Sequence, residues 1–209
     1  MKKILFFVIF IKTTLFISLS ITAEELKVTA GNLDKAKTSN YEKAYFAGGC
    51  FWCMEESFDK IKGVTSVVSG YSGGRLKNPT YEDVIYTNSG HVETVEITYN
   101  SKVTSFKKLL DIYWQNIDPF DSFGQFCDKG KSYRSVIFFE NKIQKNLIDA
   151  SYKNIQKKFN KKVVTLIWKF EKFYPAENFH QDYYEKNFIQ YLMYKKGCQR
   201  EETLKEIWN

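Results

Sequence analysis

Hydrophobic positions along the 209-residue chain switch between a period of two and a period near 3.6, and the switches mark the elements. Residues 92–99 (Val-Glu-Thr-Val-Glu-Ile-Thr-Tyr) alternate as a strand does. Glu93, Val95, Ile97 and Tyr99 then share one face and Thr94, Glu96 and Thr98 the other, so Glu93 points toward apolar company. From Thr104, a good N-cap, Phe106, Leu109, Leu110, Tyr113 and Trp114 recur at helical spacing and predict an amphipathic helix ending near Asn116. A long loop with Asp118, Pro119 and Gly124 follows. Beyond it come a strand over 134–139, a lysine-rich helix over about 141–159, a strand over 163–168 and a last helix around 177–187. Upstream, 45–47 read as strand and 54–60 as helix, whereas the tail 191–209, with Gly197 and Cys198, reads as irregular. Strands and helices alternate, but short Gly-bounded hairpin-like pieces near 69–74 argue against a doubly wound parallel sheet. The expected fold class is α+β, a two-layer α/β sandwich with an irregular C-terminal tail.

The N-terminus changes the picture of where the chain works. Lys2 and Lys3 precede an apolar run over 4–11, and further apolar residues lead to Ala23, the outline of a signal peptide over 1–23. Lys12 interrupts the run and Ile21 suits a cleavage site poorly, so an uncleaved membrane anchor is the alternative. Either way the remainder is expected to be exported, to the periplasm. Residues 24–40 are polar and read as a linker, with order beginning near Tyr41 and a single domain over 41–209. Removing 23 of the 209 residues leaves 186, enough to build a core without a disulfide framework. The formal charge is +7, of which Lys2, Lys3 and Lys12 supply three, leaving +4. The lysines over 142–162 are scattered around helical positions, so they make a solvated face and no nucleic-acid partner is expected.

The chemistry concentrates at Gly48-Gly49-Cys50-Phe51-Trp52-Cys53, a cysteine between a strand-like and a helix-like stretch. A thiol at a helix N-terminus meets unpaired N–H groups and the positive end of the dipole, worth up to about 2 kcal/mol, which favours a nucleophilic thiolate. Glu55 and Glu56 oppose that thiolate and read as solvent-facing or structural. Phe51 and Trp52 could wall a site for a small apolar group or simply pack in the core. Glu93 is either ion-paired or an acid with a raised pKa, which from about 4.3 to 7 costs roughly 3.5 kcal/mol and is tolerated mainly at functional sites. His91 invites a Cys–His pairing, but no third orienting group is identifiable and a structural role fits better. The four cysteines (Cys50, Cys53, Cys127, Cys198) could make two disulfides, yet a pair three residues apart suits redox chemistry better than stapling. With His91 and His180 alone to join them, a zinc site would need an improvised ligand set, and no metal or other cofactor is expected.

Five blocks carry a resemblance. They are Gly-Gly-Cys50-Phe51-Trp52, then Asn78-Pro79-Thr80-Tyr81, then Gly90-His91-Val92-Glu93, then Gly124-Gln125-Phe126-Cys127-Asp128-Lys129-Gly130 with Tyr133-Arg134-Ser135, and finally Phe179-His180-Gln181-Asp182-Tyr183-Tyr184. In this order, over roughly 44–205, the chain resembles peptide methionine sulfoxide reductase A. The resemblance implies that family's α/β fold with a ferredoxin-like core, and reduction of methionine S-sulfoxide, free or in proteins, as repair after oxidation. It implies that Cys50 attacks the sulfoxide sulfur and becomes a sulfenic acid. Glu93 would protonate the oxygen, Tyr81 and Tyr133 would hydrogen-bond it, Asp128 would support the site, and Phe51 and Trp52 would hold the methyl group. A second thiol must then resolve the sulfenic acid, leaving a disulfide for a thioredoxin-like or other thiol reductant. Cys198 resembles the family's resolving cysteine and is expected to resolve first, with Cys53 second. Cys53, where most members carry glycine, competes with it, although Cβ atoms three residues apart on a helix are about 5–6 Å apart against roughly 3.8 Å in a relaxed disulfide. Cys127 departs from the pattern too and is expected to be a buried thiol beside the site. A monomer is expected.

Two other readings compete. Cys50-x-x-Cys53 at a helix start also fits a thioredoxin-like disulfide oxidoreductase, although such proteins usually place Trp before the first cysteine and here Gly49 stands there. The 17% aromatic content fits an exported binding module as well.

Overall fold

A computed structural model describes residues 40–209; the leader reading and, Asn40 apart, the linker reading lie outside the described residues. Its centre is a six-stranded sheet of β1 (Tyr41–Ala47), β2 (Val64–Ser72), β3 (Val92–Asn100), β6 (Val136–Phe139), β7 (Leu166–Lys169) and β8 (Phe173–Pro175), in the order β7-β6-β1-β3-β2-β8. Pairing is antiparallel except between β6 and β7. A separate hairpin joins β4 (Gly124–Gln125) to β5 (Asp128–Lys129). The α+β architecture is therefore the one expected.

The alternation read over 92–99 sorts residues between two faces. Val95, Ile97 and Tyr99 pack with Phe46 and Ala44 under the helices, while Val92, Tyr45, Ala47, Val136 and Phe138 form a smaller cluster on the other face. Helix α1 (Phe51–Asp59) buries Phe51, Met54 and Phe58 against the first face, one stripe of a 3.6-residue period. Helix α3 (Phe106–Gln115) buries the five apolar residues its spacing predicted. Its N-cap is Ser105 rather than Thr104: the Ser105 hydroxyl accepts from the Lys108 N–H at 3.2 Å. Helix α2 (Tyr81–Tyr86) starts at a capping box between Thr80 and Asp83, and helix α4 (Lys142–Phe159) is capped by Asn141.

The C-terminal region departs most from expectation. The last helix breaks into a 3₁₀ turn, Asn178–His180, and a short α5, Tyr183–Lys186. The tail is not irregular: it forms α6 (Phe188–Gly197) and α7 (Arg200–Trp208), separated by Gln199 in the left-handed region. Arg200 explains why it is ordered. Its side chain is buried, donates to the Asn116 and Gly48 carbonyls at 2.6 and 3.3 Å, and lies 4.4 Å over the Phe126 ring. The tail thus ties down the turn that carries Cys50. Among the described residues no helix is long and apolar enough to cross a membrane.

Candidate active site

The Gly-Gly turn sets Cys50. Gly49 has φ +82°, and a Cβ there would lie 2.6 Å from Gln125 Cβ; a Cβ at Gly48 would lie 2.5 Å from Met54 Sδ. Neither position has room for a side chain, so strand β1 passes into α1 in three residues, the third of which, Cys50, is the N-cap. Gln125, fully buried, accepts from the Asp118 N–H and donates to the Asp118 and Gly124 carbonyls, all at 2.8 Å, which holds the loop facing that turn.

Around Cys50 a cavity of about 120 Å³ is lined by Cys50, Phe51, Trp52, Tyr81, Glu93, Asp128, Tyr133 and Tyr194. Glu93 lies on β3, and its Oε2 accepts the Phe51 N–H at 2.9 Å. Burial raises the Glu93 pKa well above the usual carboxylate range, the Phe51 bond opposes the rise, and nearby Asp128 and Cys53 add to it. Burial thus favours the neutral acid form of Glu93. Tyr81 and Tyr133 hydrogen-bond each other, and burial raises both phenols, so they stay donors. Tyr81 is fixed through Glu177, which accepts its N–H at 2.9 Å and the Tyr71 hydroxyl at 2.8 Å. Trp52 stacks on Tyr183 with ring centroids 3.8 Å apart, and Phe51 packs in the core and lines the cavity at once. Neutral His180, its pKa lowered by burial, backs Phe51, Trp52 and Tyr81.

The thiols behave differently from the helix-dipole expectation. Burial raises the Cys50 pKa, and the hydrogen bond between Cys50 and Cys53 raises it further. The first N–H of the helix serves a carboxylate instead, Phe51 donating to Glu93 at 2.9 Å. Cys53 is the acidic member of the pair, lowered to about 7 by the hydrogen bond from Cys50, with Arg200, Tyr191 and Lys195 assisting against burial. Of the two, Cys53 loses its proton first and Cys50 keeps its own.

A further expectation is corrected. Cys127 is not a buried thiol: it lies exposed at the two-residue tip of the β4–β5 hairpin and is disulfide-bonded to Cys198, Cα to Cα 4.8 Å. Cys198 is accordingly paired away from Cys50, while Cys50 and Cys53 are free. Of the two readings of Glu55 the structural one holds: it is buried, accepting from Ser69 Oγ and the Asp182 N–H, each at 3.0 Å. Glu56 bonds Tyr191 and Lys195 at the surface. His91 lies outside the cavity, with Nδ1 accepting from the Gly74 N–H and Nε2 bonded to the Leu76 carbonyl, a structural role. The sequence reading missed Tyr194, whose hydroxyl donates to Asp128 Oδ2 at 2.5 Å and whose ring lines the cavity. A signal existed in Tyr184, Tyr191 and Tyr194, which recur at helical spacing.

A neutral carboxyl, two phenol donors and a buried thiol pair around a small, aromatic-walled cavity define a thiol-based reductase acting on a small group with a basic oxygen. Comparison with known proteins gives the family. The profile described as "Peptide methionine sulfoxide reductase" matches residues 42–209. Peptide methionine sulfoxide reductase MsrA 2 of Staphylococcus aureus (strain MRSA252) is 47% identical over 169 residues, covering 80% of this chain and 96% of that protein. Peptide methionine sulfoxide reductase MsrA of Bacillus subtilis (strain 168) has the same identity and coverage. Among solved structures, methionine sulfoxide reductase A of Corynebacterium diphtheriae superposes with TM-score 0.65 at 26% identity, over 72% of this chain and 76% of that one. Reduced Mxr1 of Saccharomyces cerevisiae superposes with TM-score 0.66 at 29% identity, over 70% and 86%. The chain belongs to the peptide methionine sulfoxide reductase family, and thiol-dependent reduction of methionine sulfoxide is its activity. The thioredoxin-like and binding-module readings fall.

Proposed function

We propose that Cys50 is the nucleophile and Glu93 the acid in the reduction of methionine S-sulfoxide, free or in oxidised proteins. The observation that carries this reading is a neutral carboxyl and a buried thiol opening onto one cavity. Cys50 passes its proton to the Cys53 thiolate, and the Cys50 sulfur becomes the attacking base. A bond forms between the Cys50 sulfur and the sulfoxide oxygen as the sulfoxide S–O bond breaks, two electrons pass from the Cys50 sulfur to the sulfoxide sulfur, and the oxygen, carrying the Glu93 proton, ends on Cys50 as a sulfenic acid. Methionine leaves. Tyr81 and Tyr133 donate to the oxygen as it gains charge, Asp128 supports them, and Phe51 and Trp52 hold the methyl group. Cys53 then attacks the sulfenic sulfur and releases water, leaving a Cys50–Cys53 disulfide. Its contact with Cys50, against the engagement of Cys198 by Cys127, favours Cys53 as first resolver. Position relieves the spacing objection: Cys50 is a cap residue with φ −51° and ψ 120°, outside helical geometry.

The single-turnover rate is expected to be bell-shaped in pH. It rises as Cys53 ionises near 7 and can accept the Cys50 proton, and falls where Glu93 loses its proton at a pKa raised above the carboxylate range. In Cys53→Ser the rising limb moves to higher pH, because the proton of a buried thiol then has no adjacent thiolate to accept it. Stopped-flow measurement of methionine formation checks this, and an unmoved rising limb contradicts it.

A thioredoxin-like dithiol or another thiol donor, membrane-fed outside the cytosol, closes the cycle. The signal-peptide outline over 1–23 supports export to the periplasm, with the chain acting as a monomer. Mass analysis of the exported protein is expected to find Glu24 first; a chain retained in the cytosol at full length contradicts the leader reading.

A further inference from the structure

Asp128 stands on an element with little stability of its own. The β4–β5 hairpin pairs two residues with two, and an isolated two-stranded hairpin is marginal in water. Its base is held by Gln125 and by the Lys129–Asp121 ion pair, whereas its tip, Phe126–Cys127, holds Phe126 at φ +53°. The bond from Cys127 to Cys198, across 71 residues, is the covalent hold on the tip, beside the Arg200 guanidinium over the Phe126 ring.

Both ends of that bond adjoin the cavity. Cys127 precedes Asp128, which accepts the Cys50 N–H, and the two sulfurs and a carboxylate oxygen of Asp128 lie within 4.8 Å of one another. Cys198 follows Tyr194 by one helical turn, its N–H donating to the Tyr194 carbonyl at 2.9 Å. Tyr194 donates to Asp128 and hydrogen-bonds the Cys50 sulfur. The bond therefore closes a ring: Cys127, Asp128, Tyr194, Cys198.

We propose that Cys127 and Cys198 are positioning residues whose disulfide clamps Asp128 and Tyr194 against Cys50, and that this bond stands outside the thiol exchange of turnover. The inference rests on Cys50 and Cys53 being the reacting pair. Without the clamp the hairpin is held to α6 and α7 by the Tyr194–Asp128 hydrogen bond and the Arg200–Phe126 contact, and misplacement of a positioning group by about 1 Å costs up to about 10²-fold in rate.

The test uses full-length enzyme and methionine sulfoxide without external reductant. With all four cysteines of the wild type reduced, the clamp predicts one methionine per molecule, Cys50 and Cys53 oxidised, and two thiols remaining at Cys127 and Cys198. Two methionines per molecule with all four thiols consumed would make the second pair part of the electron path and overturn the clamp. A count of one that persists in Cys50→Ser would instead overturn the reading beneath it. The second measurement is the first-turnover rate, expected to fall about tenfold in Cys198→Ala. In an Asp128→Asn background the same substitution is expected to cost little more, because the clamp acts through Asp128. Independent, multiplying losses, or a wild-type rate in Cys198→Ala, would refute it.

Discussion

Cys50→Ser protein is expected to form no methionine from methionine sulfoxide above the uncatalysed background, whatever thiol reductant is supplied. The substitution exchanges sulfur for oxygen at the helix N-cap, a position with serine's own preference, so the fold and the cavity persist. What disappears is the sulfur that can give up two electrons and hold oxygen as a sulfenic acid; a serine hydroxyl has no equivalent oxidation state. Cys53 cannot substitute, since it faces Tyr191 and Arg200 and does not line the cavity. Methionine formation by chromatography, beside an unfolding curve, separates loss of chemistry from loss of fold. Wild-type activity in Cys50→Ser would refute the nucleophile assignment.

Glu93→Gln is expected to lose about 10²–10⁴-fold in the first-turnover rate, the usual contribution of a positioned general acid. Glutamine keeps the shape, and its amide oxygen still accepts the Phe51 N–H, so the bond that joins β3 to α1 survives. The amide has no proton to give to the departing oxygen. The alkaline limb of the pH profile should vanish with it, because that limb records loss of the Glu93 proton. Full rate in Glu93→Gln would remove the acid from its role; a marked fall in stability would mean that its burial mattered more for packing than for chemistry.

The parts of the molecule legible in the sequence are those where one local period meets one large partner. The alternation over 92–99 put Glu93 in the row of Val95, Ile97 and Tyr99, and the spacing over 106–114 gave α3 its buried stripe. Cys50, Tyr81, Glu93, Asp128 and Tyr133 line one cavity as the family resemblance implied, although they come from separate elements. What stayed hidden depends on long-range contacts. Helix α6 leaves Phe188, Ile189 and Met193 exposed and buries Tyr191, so no apolar stripe announces it, and α7 is ordered by the reach of Arg200 to Asn116. The pairing of Cys127 with Cys198 is invisible in spacing, because connectivity is a property of the folded chain. The thiol chemistry was misjudged for a related reason. A helix N-terminus favours a thiolate only where burial does not outweigh it, and here burial and the neighbouring Cys53 raise the Cys50 thiol while Glu93 takes the Phe51 N–H.

The claim that matters most is that the sulfur of Cys50 takes the sulfoxide oxygen. Cys53→Ser protein, allowed one turnover in the presence of a 1,3-diketone that traps sulfenic acids, tests it directly by mass spectrometry. One methionine per molecule and a single diketone adduct on the peptide containing Cys50 is the predicted result; one methionine with Cys50 unmodified would contradict it.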